Sequence, residues 1–233
     1  MMVNVRRGEG GNIRVVGGRW WEQDHVNDDL AVYLTHPQPG MQLTIGGLSA
    51  GLSEDDEKTL VAIHEVGHVV AIHGLGLEFG ETRIFPEDPE FIGTEGVVTQ
   101  LGRTEFPEPS TLSPQQSATV SLSAWIATEI WLQVEGKGSQ LHSWFVQSHA
   151  AHDHHLLLNR PTTEPTAFLY GPPMPPQGWQ GEVLRVDQFM DQLTDTLRGQ
   201  WETLSALADI VLRENSASRE TIIEVLGSPG WMN

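Results

Sequence analysis

The sequence predicts a mainly α fold of the α+β class, on three observations. Two long helical patterns, about residues 54–73 and 114–134, each begin behind a serine and end at glycines. Further helical patterns cover about 140–158, 184–214 and 218–226. Strand patterns are short by comparison, and after residue 52 only 82–85 and 96–101 qualify, joined by a turn-prone segment from Pro86 to Gly93.

Taken in order, residues 1–52 are rich in glycine and mixed polar residues, with strand-like pieces at 13–16, 30–34 and 42–45. They read as a β-rich or irregular extension ahead of a domain over 53–233. Ser53 is an N-cap, and Glu54, Asp55, Asp56 and Glu57 suit the positive end of the helix that follows. Gly74 and Gly76 close that helix. Ser113 and Pro114 open the second helix, and Gly136 and Gly138 end it. Pro161, Pro165, Pro172, Pro173, Pro175 and Pro176 mark a loop that cannot be helical. Trp125, Trp131, Trp144 and Trp201 lie on helical patterns and read as core. Trp20 and Trp21 are placed to cover a groove or a neighbouring subunit. No internal repeat is present.

Composition narrows the function. A chain of 233 residues buries a sizeable core. It has no cysteine, so any bound metal must be held by His, Asp or Glu. No apolar run follows Met1, and the apolar stretch at about 60–77 is interrupted by His64, Glu65, His68 and His73. Neither a secretory leader nor a membrane span is therefore expected. The formal net charge of −18 argues against nucleic acid or anionic lipid as partners. Together these predict a soluble cytoplasmic enzyme.

The chemistry concentrates in His64-Glu65-Val66-Gly67-His68. On a helix, positions four apart lie about 40° apart around the axis, so both imidazoles point the same way. Two neutral imidazoles so placed can hold Zn²⁺ and leave room for a third ligand and a water, with Glu65 beside that water as general base. The flanks Leu60, Val61, Ile63, Val66, Val69, Val70 and Ile72 are apolar, so the helix is largely buried. Polar side chains inside it need a partner, and a cation supplies one.

The third ligand is open on spacing alone. An extended pattern with a further His would need Gly at 71 and His at 74, where Ala71 and Gly74 stand. His73 misses that register and reads as packed or solvated. His149, His152, Asp153, His154 and His155 form a conspicuous group, and Glu129 on the preceding helix is a further candidate.

The stretch from Leu52 to Ala71, with its His-Glu-Val-Gly-His, resembles the start of the peptidase domain of the FtsH family of zinc proteases. Thr82-Arg83-Ile84-Phe85-Pro86 and the glycine-led segment from Gly93 to Gln100 are similar to that family's two strands. Ala124-Trp125-Ile126-Ala127-Thr128-Glu129 resembles its second helix motif more loosely. Ser148-His149-Ala150-Ala151-His152-Asp153 falls where the family carries its third ligand, and its distance along the chain from His68 is close to the family's. Trp201 to Ala208 and Glu220 to Ile223 resemble its C-terminal helices. The likeness spans about residues 52–227. Val66, Ala124, Trp125, Thr128, His149 and His152 depart from the family pattern.

The resemblance implies a zincin-type metalloendopeptidase in which His64, His68 and Asp153 hold Zn²⁺ with a water in the open position. The metal would acidify that water and polarise the scissile carbonyl. Glu65 would take the water's proton and pass it to the leaving amine. Glu129 is expected either to orient a ligand histidine or to serve as an ordinary helix glutamate. The strand at 96–101 offers an edge to an extended peptide, or is a covering hairpin. No Gly-x-x-x-x-Gly-Lys-Ser/Thr loop accompanies the domain, since Gly136-Lys137-Gly138 lacks both the earlier Gly and the hydroxyl residue. The substrate is then an unfolded or flexible polypeptide segment, met alone or through a separate ATPase. Ring assembly as a hexamer is what the family would imply. Two other classes stay open: a regulatory or adaptor module that keeps the metal as structure, and a hydrolase of a non-protein amide.

Overall fold

Ser53 accepts a hydrogen bond from the Asp56 amide, and the Asp56 carboxylate accepts one from the Ser53 amide. This capping box starts α1, Glu54–Gly74. The computed structural model describes residues 3–17, 21–26, 29–34, 41–44, 51–85, 90–92, 98–100, 102–106 and 112–232. A second capping box, Ser113 with Gln116, starts α2, Pro114–Val134. Both helices end as the glycines predict, with Gly76 and Gly136 at positive φ just beyond them. α1 and α2 are buried along most of their length and pack directly on one another. Gly67 permits this: a Cβ there would lie 2.8 Å from Ala124 Cα and 3.0 Å from Ser123 O. Backbone cannot give way at those distances, so the small residue sets how closely the two helices approach.

The expected helix over 140–158 is two helices, α3, Gln140–His149, and α4, Ala151–Asn159. Ala150 separates them. It is fully buried and carries no capping side chain, so the bend comes from packing rather than from a sequence signal. The expected helix over 184–214 also divides, into α5, Val186–Gly199, and α6, Trp201–Glu214. Gly199, a weak helix former, ends α5, and Gln200 breaks the run at φ −105° and ψ 8°. α7, Arg219–Leu226, follows behind the Ser218 cap.

The strands correct the sequence reading more than the helices do. β1, Val3–Arg7, and β2, Ile13–Gly17, form an antiparallel pair. β3, Trp21–Val26, β4, Asp29–Leu34, and β5, Met41–Thr44, form a separate antiparallel sheet. Trp20 lies outside the described residues. β6, Thr82–Ile84, stands where expected. Its partner is not the 96–101 segment, which yields β8, Val98–Gln100, paired with β7, Glu90–Ile92. β6 pairs instead with β9, Gly102–Thr104, and with the two-residue β12, Ser216–Ala217.

The proline-rich loop contains a strand, β10, Thr166–Tyr170. Every one of its residues is buried, which is the pattern of a strand covered on both faces rather than an alternating one. It runs parallel to β2 on one side and to β11, Glu182–Arg185, on the other. Residues 3–17 are thus built into the same sheet as the second half of the chain. Asn12, fully buried, ties them to α4: its Nδ2 donates to Arg160 O at 2.9 Å, and its Oδ1 accepts from the Thr166 amide at 2.9 Å. The fold is α+β. Among the described residues no helix is long and apolar enough to cross a membrane.

Candidate metal centre

The α1–α2 contact and the bend before α4 bring three predicted residues together. His64 Nε2 lies 3.2 Å from Asp153 Oδ2, and His68 Nε2 lies 3.3 Å from Asp153 Oδ1. The two imidazoles stand edge to face with centroids 5.0 Å apart. One ligand atom from each of the three residues falls within a 4.8 Å cluster. Atoms held at about 2.1 Å by a tetrahedral ion are about 3.4 Å from one another, so the observed separations suit one shared cation.

The hydrogen bonding supports the same fit. His68 Nδ1 is 2.8 Å from Val120 O on α2. A carbonyl only accepts, so Nδ1 carries the proton, and in the neutral ring Nε2 keeps its lone pair towards Asp153. Lone pair would then face lone pair across 3.3 Å unless a proton or a cation stands between them. Asp153 is almost fully buried, and its Oδ2 accepts no well-formed hydrogen bond. A carboxylate in that state is costly without a positive charge beside it. In the metal-free protein His68 supplies it. Burial works against the Asp153 charge, yet His68 and His64 outweigh burial and hold the carboxyl well below the usual range. Burial likewise opposes a charged His68, while Asp153, Glu65 and the Val120 carbonyl carry it up to about 9. These three side chains can hold a metal ion.

Glu65 is buried beside them on α1. Burial pushes its carboxyl above the ordinary glutamate value, and His64, His68 and a Thr104 hydrogen bond oppose that shift. Strand β9 lies against it: Thr104 Oγ1 is 2.9 Å from Glu65 Oε2 and 3.1 Å from its backbone O. Gly102 leaves the room, since a Cβ there would sit 2.6 Å from Glu65 Cγ and 2.7 Å from Oε1. Sequence reasoning missed both β9 residues, and no signal in a three-residue strand would have found them.

The chain matches no family model and no curated protein. Geometry and chemistry therefore carry the functional reading.

The other sequence candidates lie elsewhere. Glu129 does not orient His68, because the Val120 carbonyl holds that place. Its carboxylate accepts from Trp125 Nε1 at 3.3 Å and Ser143 Oγ at 2.9 Å, which binds α2 to α3. Burial raises its pKa, with those two donors opposing. His73 is packed, as expected, with its Nε2 donating to Gly227 O at 3.0 Å and its ring against Phe79. His152 and His155 are exposed and stack on one another. His149 packs edge-on against Phe145, with its Nε2 sealed from solvent.

His154 is not a member of the metal-binding group; it is buried against Trp125 and Tyr170, where its Nδ1 and Tyr170 OH share a hydrogen bond of 3.1 Å. Burial, helped by the Arg14 charge, pushes its imidazole down to about 4. The folded pKa lies below the ordinary 6.5, so the folded state binds fewer protons there. The stability this group contributes is complete above pH 6.5 and is lost as pH falls from 6.5 towards 4. At 1.36 kcal/mol per unit, the loss approaches about 3 kcal/mol. Urea denaturation of chelator-treated protein from pH 7.5 to 4.5 is expected to show a steeper acid loss for the wild type than for His154→Leu. Parallel curves would remove His154 as the cause.

Proposed function

We propose that this chain is a zinc-dependent metalloendopeptidase of the zincin type, similar in plan to the FtsH peptidase domain. The observation that carries the reading is the convergence of His64, His68 and Asp153 with a buried glutamate, Glu65, next to the first ligand. Two imidazoles and one carboxylate suit zinc and leave one position open, which distinguishes a catalytic from a purely structural site. When bound, the ion acts as a Lewis acid that acidifies water and polarises a carbonyl.

The chain's own residues do the rest. Asp153 balances charge at both imidazoles, and the Val120 carbonyl fixes the His68 tautomer. Glu65 takes a proton from the attacking water as the new C–O bond forms. It returns the proton to the amide nitrogen as the C–N bond breaks. Its raised pKa suits both halves of this exchange, because a base far below neutrality accepts a proton poorly. Among the described residues no strand pairs with the second edge of β9, so that edge, rather than the 96–101 segment, is the one beside Glu65 that offers backbone groups to an extended peptide. Substrates on this reading are unfolded or flexible polypeptide segments, delivered alone or by a separate ATPase.

Metal content and casein cleavage test the reading together. Purified protein is expected to carry about one zinc per chain, to lose casein cleavage on chelation and to regain it on adding zinc. Bound zinc without cleavage would favour a regulatory metal-binding module. Cleavage of a small amide but not of casein would favour a non-protein substrate.

A further inference from the structure

We infer that a threonine pair, Thr82 and Thr104, is a positioning device for the Glu65 carboxylate; this deepens the peptidase reading and rests on it. Thr82 on β6 and Thr104 on β9 are directly opposed in the antiparallel register. Their hydroxyl oxygens lie 2.9 Å apart, and Thr82 is fully buried. Thr104 Oγ1 is also within hydrogen-bond distance of Glu65 Oε2 and of the Glu65 backbone O.

The direction of the chain follows from counting protons. Each hydroxyl has one hydrogen and can accept from others. Two of the three neighbours of Thr104 Oγ1, the carboxylate and the backbone carbonyl of Glu65, only accept while the acid is ionised. If Thr104 gave its hydrogen to Thr82, its lone pairs would face both Glu65 oxygens at about 3 Å with nothing between them. The arrangement closes only when Thr82 donates to Thr104 and Thr104 donates to Glu65. Thr82, which does not touch the carboxylate, thereby fixes the rotor of the residue that does.

A positioning role follows from the alternative. The terminal torsion of a glutamate is broad, so a carboxylate without this donor is free to turn. Gly102 lies close against this side chain, where a Cβ would sit 2.6 Å from Cγ and 2.7 Å from Oε1, but it has no side chain to donate to either carboxylate oxygen. The Thr104 hydroxyl therefore sets which oxygen is tied down and which is left for the proton of the attacking water.

The test is a set of three variants in the full chain with zinc bound. Thr104→Val is expected to lower kcat for casein cleavage roughly 10- to 100-fold, with KM within about twofold and zinc stoichiometry unchanged. Thr104→Ser, which restores the hydroxyl, is expected to recover most of that loss. Thr82→Val is expected to lower kcat about 3- to 10-fold, and it serves as the reading should Thr104→Val not fold. Crystal structures of the metal-free variants give a readout independent of activity: the Glu65 carboxylate should turn away from its wild-type orientation in Thr104→Val, with His64, His68 and Asp153 unmoved. An unchanged kcat in both valine variants, equal losses in Thr104→Ser and Thr104→Val, or an unmoved Glu65 carboxylate would overturn the inference. A wild type that holds zinc and cleaves nothing overturns the peptidase reading instead, and the carboxylate orientation still decides the positioning role.

Discussion

Glu65→Gln is expected to retain zinc at wild-type stoichiometry while kcat for casein cleavage falls by roughly 10²- to 10⁴-fold. The two halves of this result have separate causes. The metal-binding group is His64, His68 and Asp153, and Glu65 is not among its members. Glutamine has nearly the same shape, and its amide oxygen can still accept from Thr104 Oγ1, so the α1–β9 contact survives. What disappears is the ability to take a proton. Elemental analysis and initial rates on the same preparation read both halves. An undiminished rate would exclude Glu65 from the chemistry, and loss of zinc along with activity would make its role structural.

Asp153→Ala is expected to abolish stoichiometric zinc binding and to destabilise the metal-free protein as well. Asp153 is the only member of the group that α1 does not supply, and it faces both imidazoles. Without it two ligands remain, and affinity should fall by more than the 10- to 100-fold that follows loss of an outer partner of a ligand. In the metal-free state the substitution removes the counter-charge of a mostly buried His68. Removing one member of a buried ion pair typically costs about 3 kcal/mol or more. Calorimetric zinc titration measures the first effect, and urea denaturation in chelator at pH 7 measures the second. Wild-type affinity in the variant would mean that another side chain completes the site.

How much of this was legible depended on where the information lies. α1 and α2 were readable to within a residue because serine caps, terminal glycines and, for α1, an acidic first turn are local signals. The same holds for His64, Glu65 and His68, whose spacing is a property of one helix. Asp153 was one of several candidates by spacing, and only the family resemblance singled it out. The bend at Ala150 that delivers it has no sequence mark, since alanine is the best of helix formers. β10 was hidden because Pro165 and Pro172 flank it and because a strand buried on both faces does not alternate. The acceptor for His68 is a backbone carbonyl, a group that every residue has, so the reading turned to Glu129, whose side chain was the visible candidate.

Asn12 makes the third ligand's helix depend on contacts that span about two-thirds of the 233 residues. It receives the Thr166 amide across 154 positions and holds the carbonyl at the end of α4. At 5–20 residues per second, roughly eight to thirty seconds of translation separate the two halves of that clasp. His64 and His68 are made about a third of the way through this interval, and from then until Thr166 appears the segment that completes the grip has no anchor. On the peptidase reading, a nascent chain would gain hydrolytic competence only after Thr166 has been made.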